Sequence, residues 1–363
     1  MKVMTIIGTR PEIIRLSRII PKLDQLAQKH VLVHTGQNKQ PYLNDIFFSQ
    51  LGLRQPDYRI DLPSLSFGGQ LGTLFPEMEG MIRSEQPDRV LILGDTNSAL
   101  CAVLSERMGV PVFHMEAGNR CFDPRVPEEM NRKIIDTASS FNLPYTRGAR
   151  DNLLKEGISP TRIWVSGNPI YEVIEHYKKQ IDRSDILEQL SLSASHYILV
   201  TAHRAENVDN EPTLRSIFDG LRQIADELQI PLICSVHPRT KAKLDAFGIT
   251  ADSPLIRLFE PFGFFEFIKL QANARCVITD SGTVQEESCI LGVPAVIIRR
   301  STERPETVLC GSSVVSGVES RRIAECVKLM TAGRKSWSYP EGYIDPNVST
   351  KIVNMVLGGL HHV

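Results

Sequence analysis

The sequence predicts an α/β protein of two doubly wound domains, each a parallel sheet covered by helices. Three observations carry that expectation. Short β-branched runs alternate with amphipathic stretches along the whole chain. The runs are apolar throughout, the pattern of parallel strands buried on both faces by crossover helices. The 363 residues exceed one ordinary core and suggest two domains of about 150 to 200 residues with a cleft between them.

In chain order, strands are expected at 3–7, 31–34, 90–93, 112–114 and 163–165, then at 197–200, 232–236, 276–279 and 295–298. The segment 167–196 has a helical pattern over 171–180, a polar stretch and no evident strand, so it reads as the interdomain connection. Domains of 1–168 and 169–363 follow, with the final helix expected to pack back on the first. The second half restarts as the first did: VMTIIGTRPE opens the chain and YILVTAHRAE follows His196, each a strand running into a loop with an arginine. That is a repeat of topology and not of sequence. Leu214, Ile217, Phe218, Leu221, Ile224 and Leu228 fall at helical spacing and are assigned to core.

Charge and cysteine usage exclude several classes. Lys and Arg number 41 against 42 Asp and Glu, a net charge of -1, so no global field draws the chain to nucleic acid or to an anionic membrane. A polyanionic ligand has to be held by locally placed cations. The seven cysteines are odd in number and contain no C-x-x-C pair, which argues against a disulfide framework or thiolate metal site and for a reducing cytosol. The apolar start meets Arg10 and Glu12 before a signal segment forms, and no run approaches the roughly 18 apolar residues of a membrane helix. The expected location is cytoplasmic.

Polar clusters stand at the carboxyl ends of the expected strands, where open parallel sheets bind ligands. They are Gly8-Thr9-Arg10, Gly94-Asp95-Thr96 and Glu116-Ala117-Gly118 in the first half. The second half adds His203-Arg204, His237-Pro238-Arg239, Asp280-Ser281-Gly282-Thr283 and 299–304. Each also has a structural reading. Thr9 and Glu12 fit a capping box with Pro11 in the first turn, which leaves Arg10 to face the cleft. Asp95 and Glu116 suit helix caps, and of Glu128 and Glu129 one is expected merely to complement a helix dipole. Ser281-Gly282-Thr283 before a helix makes an anion cradle. No trio has metal-ligand spacing, and no G-x-G-x-x-G follows the first strand, which counts against a bound dinucleotide. The first half thus supplies carboxylates (Asp95, Glu116, Glu128), and the second supplies cationic and N–H donors (His203, Ser281 to Thr283, Arg304). A nucleotide diphosphate sugar has the matching polarity, and Phe262, Phe264, Phe265 and Phe267 offer faces to a base.

Across nearly the whole chain the sequence resembles the non-hydrolysing UDP-N-acetylglucosamine 2-epimerase family. The motifs are GTRPE at 8–12, GDT at 94–96, EAG at 116–118, PEEMNR at 127–132, HR at 203–204, TDSG at 279–282, QEE at 285–287 and TERPE at 302–306. The resemblance implies a glycosyltransferase-B-like fold of two Rossmann-like domains, a UDP-sugar substrate, no cofactor or metal, and a homodimer. It implies that Arg10 and Arg15 approach the diphosphate or sugar, Arg15 standing where the family commonly has Lys. His203, Ser281, Gly282, Thr283 and Arg304 would hold the phosphates, Glu287 the ribose hydroxyls and Phe267 the uracil region. Asp95, Glu116 and Glu128 would surround carbon 2 of the sugar, with the division of acid and base among them open.

Three positions depart from the family pattern. Thr283 replaces a glycine, Phe262 stands where Gln is frequent, and in GQNKQ at 36–40 only Gln37 matches the segment linked to activation by a second UDP-GlcNAc. The stretch 118–129 resembles the branch that makes UDP-N-acetyl-L-fucosamine by epimerising UDP-2-acetamido-2,6-dideoxy-L-talose. The reaction implied is C2 epimerisation by elimination of UDP to a 2-acetamidoglucal and re-addition, serving surface polysaccharide precursors. A hydrolysing epimerase and a glycosyltransferase on the same scaffold are the alternatives.

Overall fold

The computed structural model describes residues 1–37, 41–62, 66–333 and 336–358. The chain forms two compact units, Met1–Glu175 with Glu341–Val363, and His176–Pro340. Among the described residues no helix is long and apolar enough to cross a membrane.

The first unit is built on β1 (Lys2–Ile7), β2 (Lys29–His34), β3 (Tyr58–Arg59), β4 (Arg89–Leu93), β5 (Val112–Met115) and β6 (Phe141–Leu143). All are parallel, in the order β3-β2-β1-β4-β5-β6. The central strands are apolar along their length because helices cover both faces. On one face Met4, Ile6, Val31, Val33, Val90 and Ile92 pack with Leu74, Met78 and Ile82 of the helix Phe67–Glu85. The C-terminal helix Val348–Leu357 also belongs here. It buries Val348, Ile352, Val353 and Val356 and packs on the helix Ile20–Leu26. Lys22 Nζ donates to Ser349 Oγ (2.6 Å) and Thr350 Oγ1 (2.7 Å), and the Ser349 N–H donates to Glu172 Oε2 (2.8 Å).

The second unit carries β7 (Ile198–Thr201), β8 (Leu232–Ser235), β9 (Ile256–Phe259), β10 (Cys276–Thr279), β11 (Ala295–Ile297) and β12 (Ser313–Val315). Their order is β12-β11-β10-β7-β8-β9, which read from the far edge is the order of the first sheet again. The helix Glu211–Leu228 buries Leu214, Ile217, Phe218, Leu221 and Ile224, with Leu228 partly covered. It packs with the helix Ser320–Ala332 through Ile323, Ala324 and Val327.

One expected strand is absent. Residues 163–165 form only a single parallel bridge, Ile163 to Asn142 of β6, and Trp164 stacks on Phe141 at 4.9 Å. Their apolar character comes from packing beside a sheet edge and not from a full ladder. Four strands had no clear sequence signal: β3, β6, β9 and β12, the two edges of each sheet.

In both sheets the strand order reverses direction beside the first strand, between β1 and β4 and between β7 and β10. Such a switch point opens a crevice beyond the carboxyl ends of the strands. Gly8 to Arg10 and Gly94 to Thr96 flank the first crevice; His203, Arg204 and Asp280 to Thr283 flank the second.

Candidate active site

In the first unit β1 ends in Gly8, where an added Cβ would collide with Ser98 Oγ and Thr35 Oγ1, so only glycine lets the strand end pass this close. Glu12 gathers the turn that follows. Its Oε2 accepts from the Gly8 N–H (2.8 Å), the Thr9 N–H (2.5 Å) and Thr9 Oγ1 (2.8 Å), and its Oε1 accepts from Thr96 Oγ1 at 3.1 Å. The expected capping role is thus one part of a wider job, tying the loops after β1 and β4 together. Burial pushes the Glu12 carboxyl up to about 7 against those hydrogen bonds, which pull it down. The guanidinium of Arg10 lies 5.6 Å from the centroid of the Phe47 ring. Gln37 Oε1 accepts from the N–H and Oγ of Ser98 (3.1 and 2.8 Å); positions 38–40 lie outside the described residues.

Arg15 is 1% exposed. Its Nη1 pairs with Glu116 Oε2, and its guanidinium stands 5.6 Å from the Tyr145 ring centroid. Glu116 sits just past β5 with φ of 67°, a left-handed conformation that is costly for a residue with a side chain and tends to occur at functional positions. Asp95, just past β4, has its Oδ2 held by Arg132, through Nε at 2.8 Å and Nη2 at 2.6 Å.

The helix Pro127–Ala138 separates the roles of its two leading carboxylates. Glu129 is structural: it accepts from the N–H groups of Cys121 (3.0 Å) and Phe122 (3.1 Å) and pairs with Arg132 Nη1 at 2.8 Å. Glu128 is half-buried, and its Oε2 is sealed from solvent with no hydrogen-bond partner among the described residues. A buried acceptor left unmatched is costly and suits a group that awaits a ligand.

Beneath these loops lies a charged network that sequence reasoning missed. His114 Nε2 contacts the Gly94 carbonyl at 2.8 Å, and its Nδ1 stands 2.8 Å from Asp136 Oδ1. Asp136 Oδ2 takes Arg120 Nη2 at 2.7 Å and the Gly118 N–H at 3.1 Å. The partners are 16 to 22 residues apart in sequence, and no local pattern marks them as neighbours.

In the second unit Asp280, fully buried, organises the switch point. It accepts from the N–H groups of His203 (3.0 Å) and Arg204 (3.0 Å) and from Asn207 Nδ2 (3.0 Å). His203 Nδ1 stands 3.4 Å from Asp280 Oδ1, with its side chain 41% exposed. Arg204 Nε donates to the Asp280 carbonyl (3.0 Å) and its Nη2 to Glu303 Oε1 (3.0 Å).

Ser281 precedes the helix Gly282–Ile290 without a side-chain cap, and its Oγ meets Thr283 Oγ1 at 2.8 Å. Amide N–H groups at such a helix start favour an anion. A Cβ on Gly282 would stand 2.6 Å from Glu303 Oε1, so a side chain there has to displace a carboxylate that Arg204 and Arg299 hold. Arg304, 4% exposed, pairs through Nε with Glu286 Oε1 at 2.5 Å. Glu287, 5% exposed, lies on the same helix as Glu286. Phe267 and Phe262 pack partly on the unit's core, and Phe264 is buried beside Phe265 and Tyr177. Gln271 Nε2 ties the helix bearing Phe267 to the cradle helix through the Val284 carbonyl and Ser288 Oγ, both at 2.8 Å.

The predicted residues divide between the units: Arg10, Arg15, Asp95, Glu116 and Glu128 lie in the first, where Arg15 pairs with Glu116, and His203, Ser281, Gly282, Thr283, Glu287, Arg304 and Phe267 lie in the second, where Ser281 meets Thr283. No group of three His, Cys, Asp or Glu side chains among the described residues has the arrangement of a metal site.

Comparison with known proteins is unambiguous at the family level. The family described as UDP-N-acetylglucosamine 2-epimerase matches residues 22–357. The chain is 39% identical to the UDP-N-acetylglucosamine 2-epimerase of Methanococcus maripaludis, covering 98% of each. It is 36% identical to the UDP-2,3-diacetamido-2,3-dideoxy-D-glucuronate 2-epimerase of Pseudomonas aeruginosa, over 90% of this chain and 92% of that one. Among solved structures it is similar to Methanocaldococcus jannaschii UDP-GlcNAc 2-epimerase in complex with UDP-GlcNAc and UDP, with a TM-score of 0.93 and 37% identity over 99% of this chain and 100% of the other.

Proposed function

The chain belongs to the UDP-N-acetylglucosamine 2-epimerase family, and we propose on that premise that it inverts carbon 2 of a UDP-linked N-acetylhexosamine, converting UDP-GlcNAc to UDP-ManNAc without hydrolysis. What carries the reading is the full-length relationship, 39% identity over 98% of the chain, joined to carboxylates at one switch point and cations with a helix start at the other.

The chemistry follows from the substrate. Carbon 2 has no carbonyl neighbour, so its proton is too weakly acidic for simple removal and return. Breaking the anomeric bond first solves this: the C1–O electron pair leaves with UDP, and the developing positive charge makes the C2–H removable. The C–H pair then forms the C1=C2 double bond of a 2-acetamidoglucal. In the return, a proton enters the opposite face of carbon 2 and a diphosphate oxygen re-forms the bond to carbon 1.

Arg10, His203, Arg304 and the Ser281 turn suit the leaving diphosphate, because fixed charges and N–H dipoles stabilise developing charge without reorganising. Glu287 suits the ribose hydroxyls and Phe267 the base. Asp95, Glu116 and Glu128 suit the proton transfers, in which an acid or base contributes about 10²- to 10⁴-fold. We extend the reading to a cytoplasmic homodimer feeding surface polysaccharide synthesis; light scattering in solution tests the dimer.

A second substrate has a specific observation behind it. The stretch 118–129 resembles the L-fucosamine branch, and a relative at 36% identity is named for a differently substituted UDP-sugar. The test is incubation in D2O with UDP-GlcNAc and, separately, with UDP-2-acetamido-2,6-dideoxy-L-talose, in excess chelator, with products resolved by NMR. We expect an epimer carrying deuterium at carbon 2, undiminished by chelator. Asp95→Asn, Glu116→Gln and Glu128→Gln should each slow turnover by about 10²- to 10⁴-fold while UDP affinity holds. Epimer retaining ordinary hydrogen after many turnovers would overturn the solvent-exchanging route, and free sugar with UDP would point to hydrolysis.

A further inference from the structure

The helix Pro127–Ala138 grips Asp95 twice. Asn131 Nδ2 donates to the Asp95 carbonyl at 3.0 Å and to Asn97 Oδ1 at 3.2 Å, fixing the main chain of the loop after β4. One residue on, Arg132 takes the side chain. Its Nε donates to Asp95 Oδ2 at 2.8 Å and its Nη2 stands 2.6 Å from the same oxygen. Its remaining arm, Nη1, is anchored on Glu129 Oε2 at 2.8 Å. The Arg132 and Glu129 side chains are 4% and 5% exposed, while Asp95 is 24% exposed. Both contacts converge on Oδ2, and Oδ1 accepts no hydrogen bond among the described residues.

We infer that Arg132 is a positioning residue for the epimerisation: it locks Asp95 Oδ2 and so presents Oδ1 in one orientation. The inference rests on the function proposed above. A carboxylate that exchanges a proton with carbon has to meet it at a fixed distance and angle, and a misplacement of about 1 Å costs about 10²-fold. A planar guanidinium braced on a second carboxylate sets such an orientation. An ammonium on a flexible stem supplies the charge without the geometry.

The test is a double-mutant cycle of Arg132→Lys, Asp95→Asn and the pair, reading kcat and KM for UDP-GlcNAc and UDP affinity by calorimetry. We expect Arg132→Lys to lower kcat by about 10- to 100-fold with KM and UDP affinity within about threefold. In the Asp95→Asn background the same change should cost less than about twofold. A penalty of equal size in both backgrounds, a loss residing in KM, or an unchanged kcat would each overturn the inference. So would an Asp95→Asn enzyme with normal turnover, since Arg132 is argued to act through that group. Failure of the unaltered protein to epimerise any UDP-N-acetylhexosamine sinks the functional reading instead. Should Arg132→Lys not fold, the cycle runs with Arg132→Gln on a Glu129→Gln background, which removes both charges of the buried pair together.

Discussion

A carboxyl group sealed from water responds to pH through its neighbours, and Glu12, 2% exposed, is the case in point. Its value of about 7 in the fold exceeds the ordinary 4.5, so the folded state holds the proton more tightly than the unfolded chain does. The associated stability is fully present below about pH 4.5 and is lost as pH rises through 7, by up to about 3 kcal/mol. Glu12→Gln removes that loss. Its Tm relative to the parent should rise as pH goes from about 5 to about 8, and a pH-independent difference in Tm would contradict the assignment. Arg304 and Arg299 make the second contrast. Both are buried and paired, with Glu286 and Glu303 respectively, but only Arg304 lies in the TERPE motif against the cradle helix. Charge-assisted contacts to phosphate contribute about 1.5 to 3 kcal/mol, so Arg304→Ala should weaken UDP binding by about tenfold to a hundredfold and Arg299→Ala far less. Equal losses in calorimetric titration would remove Arg304 from the phosphate site.

Among the elements, the helix Pro127–Ala138 does the most to hold the first switch point, through Glu129, Asn131, Arg132 and Asp136. Burial raises the Asp136 carboxyl, but His114 and Arg120 outweigh it and hold the group below the usual carboxylate range. Its stabilisation is therefore present at neutral pH and lost as the solution becomes acidic enough to protonate it. Breaking one side of such a buried set costs about 3 to 5 kcal/mol, so Asp136→Asn should lower Tm by about 10 °C at neutral pH, with a smaller deficit in acid. A calorimetric Tm within about 2 °C of the parent would show that the network is not needed. This network was not legible in the sequence, because nothing about His114, Arg120 or Asp136 taken singly distinguishes a buried partner from a surface charge. The glycine-rich and charged strand ends were legible, since each interrupts an apolar run. The strands divide in the same way. The eight inner strands are buried on both faces and read as continuous apolar runs. The edges are strands of only two to four residues carrying Arg59, Asn142, Arg257 and Ser313, and a polar residue in so short a run erases that signal. Residues 163–165 failed in the opposite sense, as an apolar run that packs beside an edge without joining it.

At the scale of the whole chain, the same six-strand order occurs twice, and each copy keeps its polar groups at its own reversal of strand order. The carboxylates and the cationic and N–H donors that the sequence reading set in opposite halves lie in separate units, each with its own buried organiser: Glu12 with Asp136 in one, Asp280 in the other. The units differ in how the chain closes them. The second is continuous from His176 to Pro340, whereas the first draws its last helix from beyond Glu341. During synthesis the ribosome therefore delivers every residue of the second unit before it delivers Val348, Ile352, Val353 and Val356. At about 5 to 20 residues per second, the helix Ile20–Leu26 waits roughly 10 to 30 s after Glu175 is made before its neighbour arrives. For that interval the nascent first unit carries an uncovered apolar strip, and Pro340, the last residue of the second unit, is made before the cover for that strip arrives, so the later unit is complete in sequence before the earlier one.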